Sequence, residues 1–264
     1  MQPQITVLVV IDPSQKNHPA LERALLLANR TSDNATAKMV FIVTPFKQPL
    51  QQSPTVLCTS EWLKENIHDP LVGTHVEYSV TLGWGSSSND IIVQAAKELN
   101  AALTIAPYYE QQSGNMFSDE KWKLLRESEN PVLMASRPSE NHSGRMLCTV
   151  KIQDEDYAER NQRVLDVASK FSDHFELETH VVNAYEDSME YPDRSKIASM
   201  YSVPNDRIYV KQGEPQDIIC DVANDIDADL ILISSHRRKG LKGALRGNMI
   251  EKIIQRLDRD ILMI

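Results

Sequence analysis

The sequence predicts an α/β protein made of two tandem, open, parallel five-stranded sheets flanked by helices in a Rossmann-like arrangement. Three observations predict it. The chain has 264 residues, enough for two domains of the commonest size. Its two halves repeat one pattern of apolar runs, and those runs are continuous stretches of Val, Ile and Leu alternating with amphipathic segments. Continuous runs mark strands buried on both faces, as in a parallel sheet covered by helices, and right-handed crossovers then set the winding.

The repeat appears in three places, as expected where a duplicated unit reuses one burial pattern. Residues 5–12 (ITVLVVID) and 145–151 (RMLCTVK) each read as a first buried strand. Each leads to a helical pattern, over 20–29 and 159–171, in which apolar residues such as Val164, Leu165, Val167, Ala168 and Phe171 recur at helical spacing. The second match pairs Asp90-Ile91-Ile92 with Asp217-Ile218-Ile219, and Ala96, Ala101 and Leu103 with Ala223, Ala228 and Leu230. Gly83 and Gly213 close the strand-like stretches 75–82 and 207–212, where glycine is expected to relieve backbone strain in a strand-to-helix turn. The third match sets 124–136 (LLRESENPVLMAS) beside 253–264 (IIQRLDRDILMI), each a helix end followed by a last strand. Residues 137–144 (RPSENHSG) carry no apolar periodicity and read as a linker, giving domains at 1–138 and 145–264. Polar loops are expected at 47–54, ahead of a helix containing Trp62 and Leu63, and in shorter form at 187–193.

Composition excludes several classes. The apolar fraction is 41% and the charged fraction 25%, ordinary for a globular protein, and no apolar run approaches the roughly 20 residues that span a bilayer. A net charge of −9 disfavours phosphate backbones and anionic lipid, so neither nucleic acid nor membrane is an expected partner. No export leader is visible, and the three cysteines, Cys58, Cys148 and Cys220, lie far apart without metal-ligand spacing. A cytoplasmic protein with buried thiols is the expectation. His174 and His180 lack the spacing of two ligands on one helical face, so no metal site is assigned. No Gly-x-Ser-x-Gly elbow or cysteine beside an activating partner supplies a nucleophile, and the protein is read as a non-enzyme.

The segments THVVNAYE (179–186) and ADLILISSHRRKGLKGALRGNMIEKIIQRLDRDILMI (228–264) resemble the universal stress protein family, as does WKLLRESENPVLM (122–134) in the first half. The resemblance spans nearly the whole chain and points to the family's tandem members. It implies a stress-response protein and, in ATP-binding members, a G-x2-G-x9-G-S/T motif after the fourth strand, where glycines let the backbone approach phosphates at a helix N-terminus. That motif maps onto Ser234, then Ser235 and His236, then Arg237, nine residues, and finally Gly247 and Asn248, so one of its three glycines survives. The family's acid at the end of the first strand, which meets the nucleotide, is Asp12 in the first half and Lys151 in the second. After its fourth strand the first half reads Ala106, Pro107, Tyr108, Tyr109 and Glu110, with no glycine pair.

These departures imply degenerate nucleotide sites and no obligatory cofactor, ATP remaining the alternative. The basic run His236, Arg237, Arg238, Lys239 and Lys242 stands near strand ends, where it either holds a small anion or is a solvated loop. Asn248 reads most simply as a helix N-cap. The acidic stretches 153–156 and 186–190 receive no role. Three functions follow: a binding protein for an unidentified protein partner or small anionic ligand; an ATP- or AMP-dependent switch or slow ATPase using Ser234, Ser235, Gly247 and Asn248; and a pure scaffold.

The last strands, 132–135 and 261–264, would leave aggregation-prone edges if bare. The sequence therefore predicts an intramolecular pseudo-dimer, the halves docked with pseudo-twofold symmetry through these strands, with a homodimer of the whole chain as a further alternative. Deleting residues 260–264 is expected to give insoluble or domain-swapped protein; a soluble monomer with an unchanged melting temperature would refute the docking.

Overall fold

The computed structural model describes residues 5–30, 37–44, 58–83, 87–108, 123–125, 127–136, 143–175, 177–234 and 248–264. The chain divides into two compact units, Met1–Pro138 and Ser139–Ile264.

In the first unit β1 (Ile5–Ile11) leads to α1 (Pro19–Arg30) and β2 (Ala37–Val43). A helical stretch follows in three pieces: α2 (Ser60–Leu63), one π-helical turn (Lys64–His68) and α3 (Asp69–Leu71). Then come β3 (Glu77–Leu82), α4 (Ser88–Glu98), β4 (Leu103–Pro107) and β5 (Val132–Ala135). The strands lie side by side in the order β3-β2-β1-β4-β5, every pair parallel. Val7 to Ile11 and all of β4 and β5 are buried, which is why these segments read as unbroken apolar runs. β3 sits at the edge and alternates exposed with half-buried residues.

The second unit repeats this order with β6 (Arg145–Val150), α5 (Ala158–Phe175), β7 (Glu178–Tyr185), α6 (Arg194–Tyr201), β8 (Ile208–Gln212), α7 (Pro215–Asp225), β9 (Leu230–Ile233), α8 (Asn248–Arg256) and β10 (Asp260–Met263). Its strands run β8-β7-β6-β9-β10, again all parallel.

The repeat extends to individual hydrogen bonds. Where α4 ends, Asn100 takes φ +47°, and the N–H groups of Asn100 and Ala101 donate to the carbonyls of Lys97 and Ala96 at 3.1 and 2.9 Å. Where α7 ends, Asp227 takes φ +49°, and Asp227 and Ala228 donate to Asn224 and Ala223 at 3.0 and 2.8 Å. Both are Schellman caps, which satisfy carbonyls the helix leaves open. Asn and Asp tolerate the left-handed conformation because their short polar side chains hydrogen-bond locally.

The two strand-end glycines differ in their reason. Gly213 has φ +148°, a backbone only glycine adopts without strain. Gly83 has no positive φ; a Cβ there would lie 3.0 Å from Ile91 Cγ2 and 3.2 Å from Thr44 Cβ, so close packing, not backbone strain, crowds a side chain there. Gly213→Ala and Gly83→Ala are each expected to destabilise by about 1–3 kcal/mol, the first through strain and the second through overpacking. Urea unfolding of each variant checks this.

Candidate functional site

A 3-2-1-4-5 strand order reverses direction beside the first strand, and open α/β sheets bind ligands at such a reversal, outside the carboxyl ends of the strands. The reversal falls between β1 and β4 in the first unit and between β6 and β9 in the second. Asp12 and Tyr108 stand at the first pair of strand ends, Lys151 and Ser234 at the second.

Asp12 is fully buried and is engaged by its own loop. The Ser14 N–H and hydroxyl donate to its Oδ1 at 3.0 and 2.6 Å, and Gln15 Nε2 reaches Oδ2 at 3.4 Å. This is a local Asx turn, in which a carboxylate organises the chain leaving the strand. The Tyr108 N–H donates to the Ala135 carbonyl at 2.7 Å, extending the ladder with β5. The loop after Asp12 ends at His18, which precedes α1, is buried, and meets Trp62 of α2 edge to face with ring centroids 5.2 Å apart. Burial pushes the His18 imidazole below its ordinary value, with the Asp12 charge opposing.

The second unit uses different chemistry at the same place. The Lys151 ammonium donates to Asp154 Oδ2 at 3.0 Å and lies 4.9 Å from the Tyr157 ring centre; Arg160 stacks on the same ring at 3.7 Å. The Lys151 ammonium holds the Asp154 carboxyl below the usual carboxylate range. A pair this exposed contributes little to stability, so the loop's order comes from two buried asparagines. Asn161 Oδ1 accepts from the Lys151 N–H at 3.2 Å while its Nδ2 donates to the Lys151 carbonyl at 3.0 Å. Asn183 Oδ1 accepts from the Ile152 N–H at 2.9 Å, and its Nδ2 donates to Gln153 Oε1 at 2.9 Å and to the Ala184 carbonyl at 3.1 Å. Tyr201 of α6 donates its hydroxyl to the Asn161 carbonyl at 3.0 Å, fixing α6 to α5.

Of the residues expected at the site, Lys151 and Ser234 follow adjacent strands, with Cys148 opposite Leu232 in the ladder. Ser234 is half-buried. Ser235, His236, Arg237 and Gly247 lie outside the described residues, as do Tyr109 and Glu110. Asn248 is the first residue of α8, inside the helix and not at the cap position expected for it. His180 stands on β7, its Nε2 at 2.6 Å from Glu178 Oε1 and its Nδ1 at 3.3 Å from the Tyr209 hydroxyl, a structural cluster that Arg207 joins through Glu178 at 2.9 Å. Cys58, Cys148 and Cys220 are buried free thiols, and burial pushes the Cys148 thiol far up, so it is a poor nucleophile. Asn161, Asn183 and His18 were not singled out from the sequence; the signal for the asparagines was a polar residue inside an otherwise apolar strand or helix face.

Comparison with known proteins gives this geometry relatives. The universal stress protein family's sequence profile matches residues 155–264. Over 98% of this chain and 93% of the relative, the sequence is 24% identical to universal stress protein E of Salmonella typhi. A putative universal stress protein from Pseudomonas aeruginosa superposes with TM-score 0.77 at 21% identity, covering 98% of this chain and 92% of that one. One from Archaeoglobus fulgidus superposes with TM-score 0.73 at 14% identity over 98% and 95%. The fold is thus that of the universal stress proteins. Residues 155–264 thus match the universal stress protein family, and the likeness to universal stress protein E runs through both halves of the chain.

Asn161→Ala is expected to cost about 1–3 kcal/mol by leaving the Lys151 backbone groups unpaired. It should also speed hydrogen exchange at the Lys151 amide, and unchanged protection there would show that Asn161 does not hold the loop.

Proposed function

We propose that the protein acts in the stress response of the cytoplasm by binding rather than by turnover, and that neither half retains a working nucleotide site. One observation carries this reading: at the strand end where ATP-binding relatives keep an acid, the second half has Lys151, whose ammonium is joined to Asp154 and whose backbone is closed by Asn161. The first half keeps Asp12, but Ser14 uses that carboxylate, and the Tyr108 N–H is spent on β5. A phosphate at either place would have to displace bonds already made. Among the described residues no helix is long and apolar enough to cross a membrane, and no group of three or more His, Cys, Asp or Glu could hold a metal. The ligand class left is a protein partner or a small anion.

Thermal melts with and without millimolar ATP, AMP and Mg²⁺ test the proposal, because a ligand at 100 times its Kd stabilises the native state by about 2.7 kcal/mol. No shift is expected. A saturable shift would instead support a nucleotide-dependent switch and make the segment from Ser234 to Asn248 the place to mutate.

A further inference from the structure

We propose that His18 is an acid-operated latch between α1 and α2: on protonation the imidazole leaves the face it makes with Trp62 and frees the start of α2 at the head of the first sheet. Three features of the contact support it. His18 is about nine-tenths buried, and its Nδ1 is fully enclosed with no hydrogen-bond partner among the described residues. A neutral imidazole can leave one nitrogen as an unused acceptor at modest cost; a protonated one must bury an N–H cation with nothing to receive it. The contact also joins two helix starts, since His18 directly precedes α1 and Trp62 lies in the first turn of α2, where Thr59 Oγ1 accepts its N–H at 3.1 Å. The positive ends of helix dipoles disfavour a cation there.

The charged groups flanking the contact in sequence are Asp12 and Lys16 in the loop before α1, Glu22 and Arg23 in the first turns of α1, and Glu61 and Glu65 on either side of Trp62, while Asp69 begins α3, which packs against α1. Asp12 is the one whose charge acts on the imidazole; it favours the cation, but desolvation outweighs it. The closed contact therefore binds fewer protons than the open one. Its stability is complete above the ordinary histidine value of about 6.5 and is lost as the pH falls toward the depressed value of the closed form. The second unit holds its equivalent helix pair with the Tyr201 hydroxyl on the Asn161 carbonyl, and burial raises the Tyr201 pKa well above the ordinary tyrosine range. That junction does not titrate near neutrality, so of the two helix junctions acid acts on the one at His18.

The test uses the full chain with Trp84→Phe and Trp122→Phe, leaving Trp62 as the single tryptophan of the three. From pH 7.5 to 5 its emission is expected to shift reversibly to the red, with increased acrylamide quenching setting in below about pH 6.5. His18→Phe in this background should be flat, the phenyl ring holding the contact without a proton. If that variant does not fold, His18→Gln replaces it and should likewise show no titration. The same midpoint in the His18 variant, or no change at Trp62 with His18 intact, would overturn the latch.

Discussion

Each sheet is covered on both faces, and this constraint shapes everything else in the molecule. Val7 to Ile11 in one unit and Leu230 to Ile233 in the other are apolar and buried, and polar side chains buried on a helix or strand, such as Asn161 and Asn183, are hydrogen-bonded within the protein. Burying an unpaired polar group there costs several kcal/mol, about as much as a domain's margin allows for two or three such errors. Polar groups able to meet a ligand are therefore expected chiefly in the loops at the carboxyl ends, where the strand order reverses.

Those loops are where the two repeats part company. Both copies leave their first strand at a residue that organises the following turn, but Asp12 does so with a carboxylate and Lys151 with its backbone, held by Asn161. The change of sign at the strand end is accompanied by a new local acid, Asp154, and by a tyrosine that takes two cations on one ring. The second copy has thus become a self-contained polar network. The first keeps a buried histidine against an indole in place of a hydrogen-bonded tie between helices.

How much of this could be read from the sequence follows from how local each feature is. The strand runs, the amphipathic helices and the AKELNAAL and ANDIDADL segments were legible because periodicity and capping are properties of a few consecutive residues; both segments end in the same Schellman geometry. Gly83 and Gly213 looked alike for the same reason, yet only Gly213 needs its backbone, because the crowding at Gly83 comes from Thr44 and Ile91, outside its own turn. Of the candidate site, the strand-end positions of Asp12 and Lys151 were legible, because each directly follows an apolar run. Asn161 lies ten residues beyond Lys151 and Trp62 forty-four beyond His18, and nothing in either local pattern announces that they meet.

Such distance also explains why duplication permits divergence. The Schellman caps and the strand ladders are shared because each copy must satisfy its own helix ends and strand edges to fold at all. The loop networks are under no such requirement; each needs only to be internally satisfied, and a carboxylate turn or a pair of asparagines does so equally well. A lysine at one strand end is accommodated where a neighbour such as Asp154 supplies the counter-charge. Lysine and its acidic partner therefore form one local unit, and the parallel scaffold beneath it keeps the strand order of the first copy.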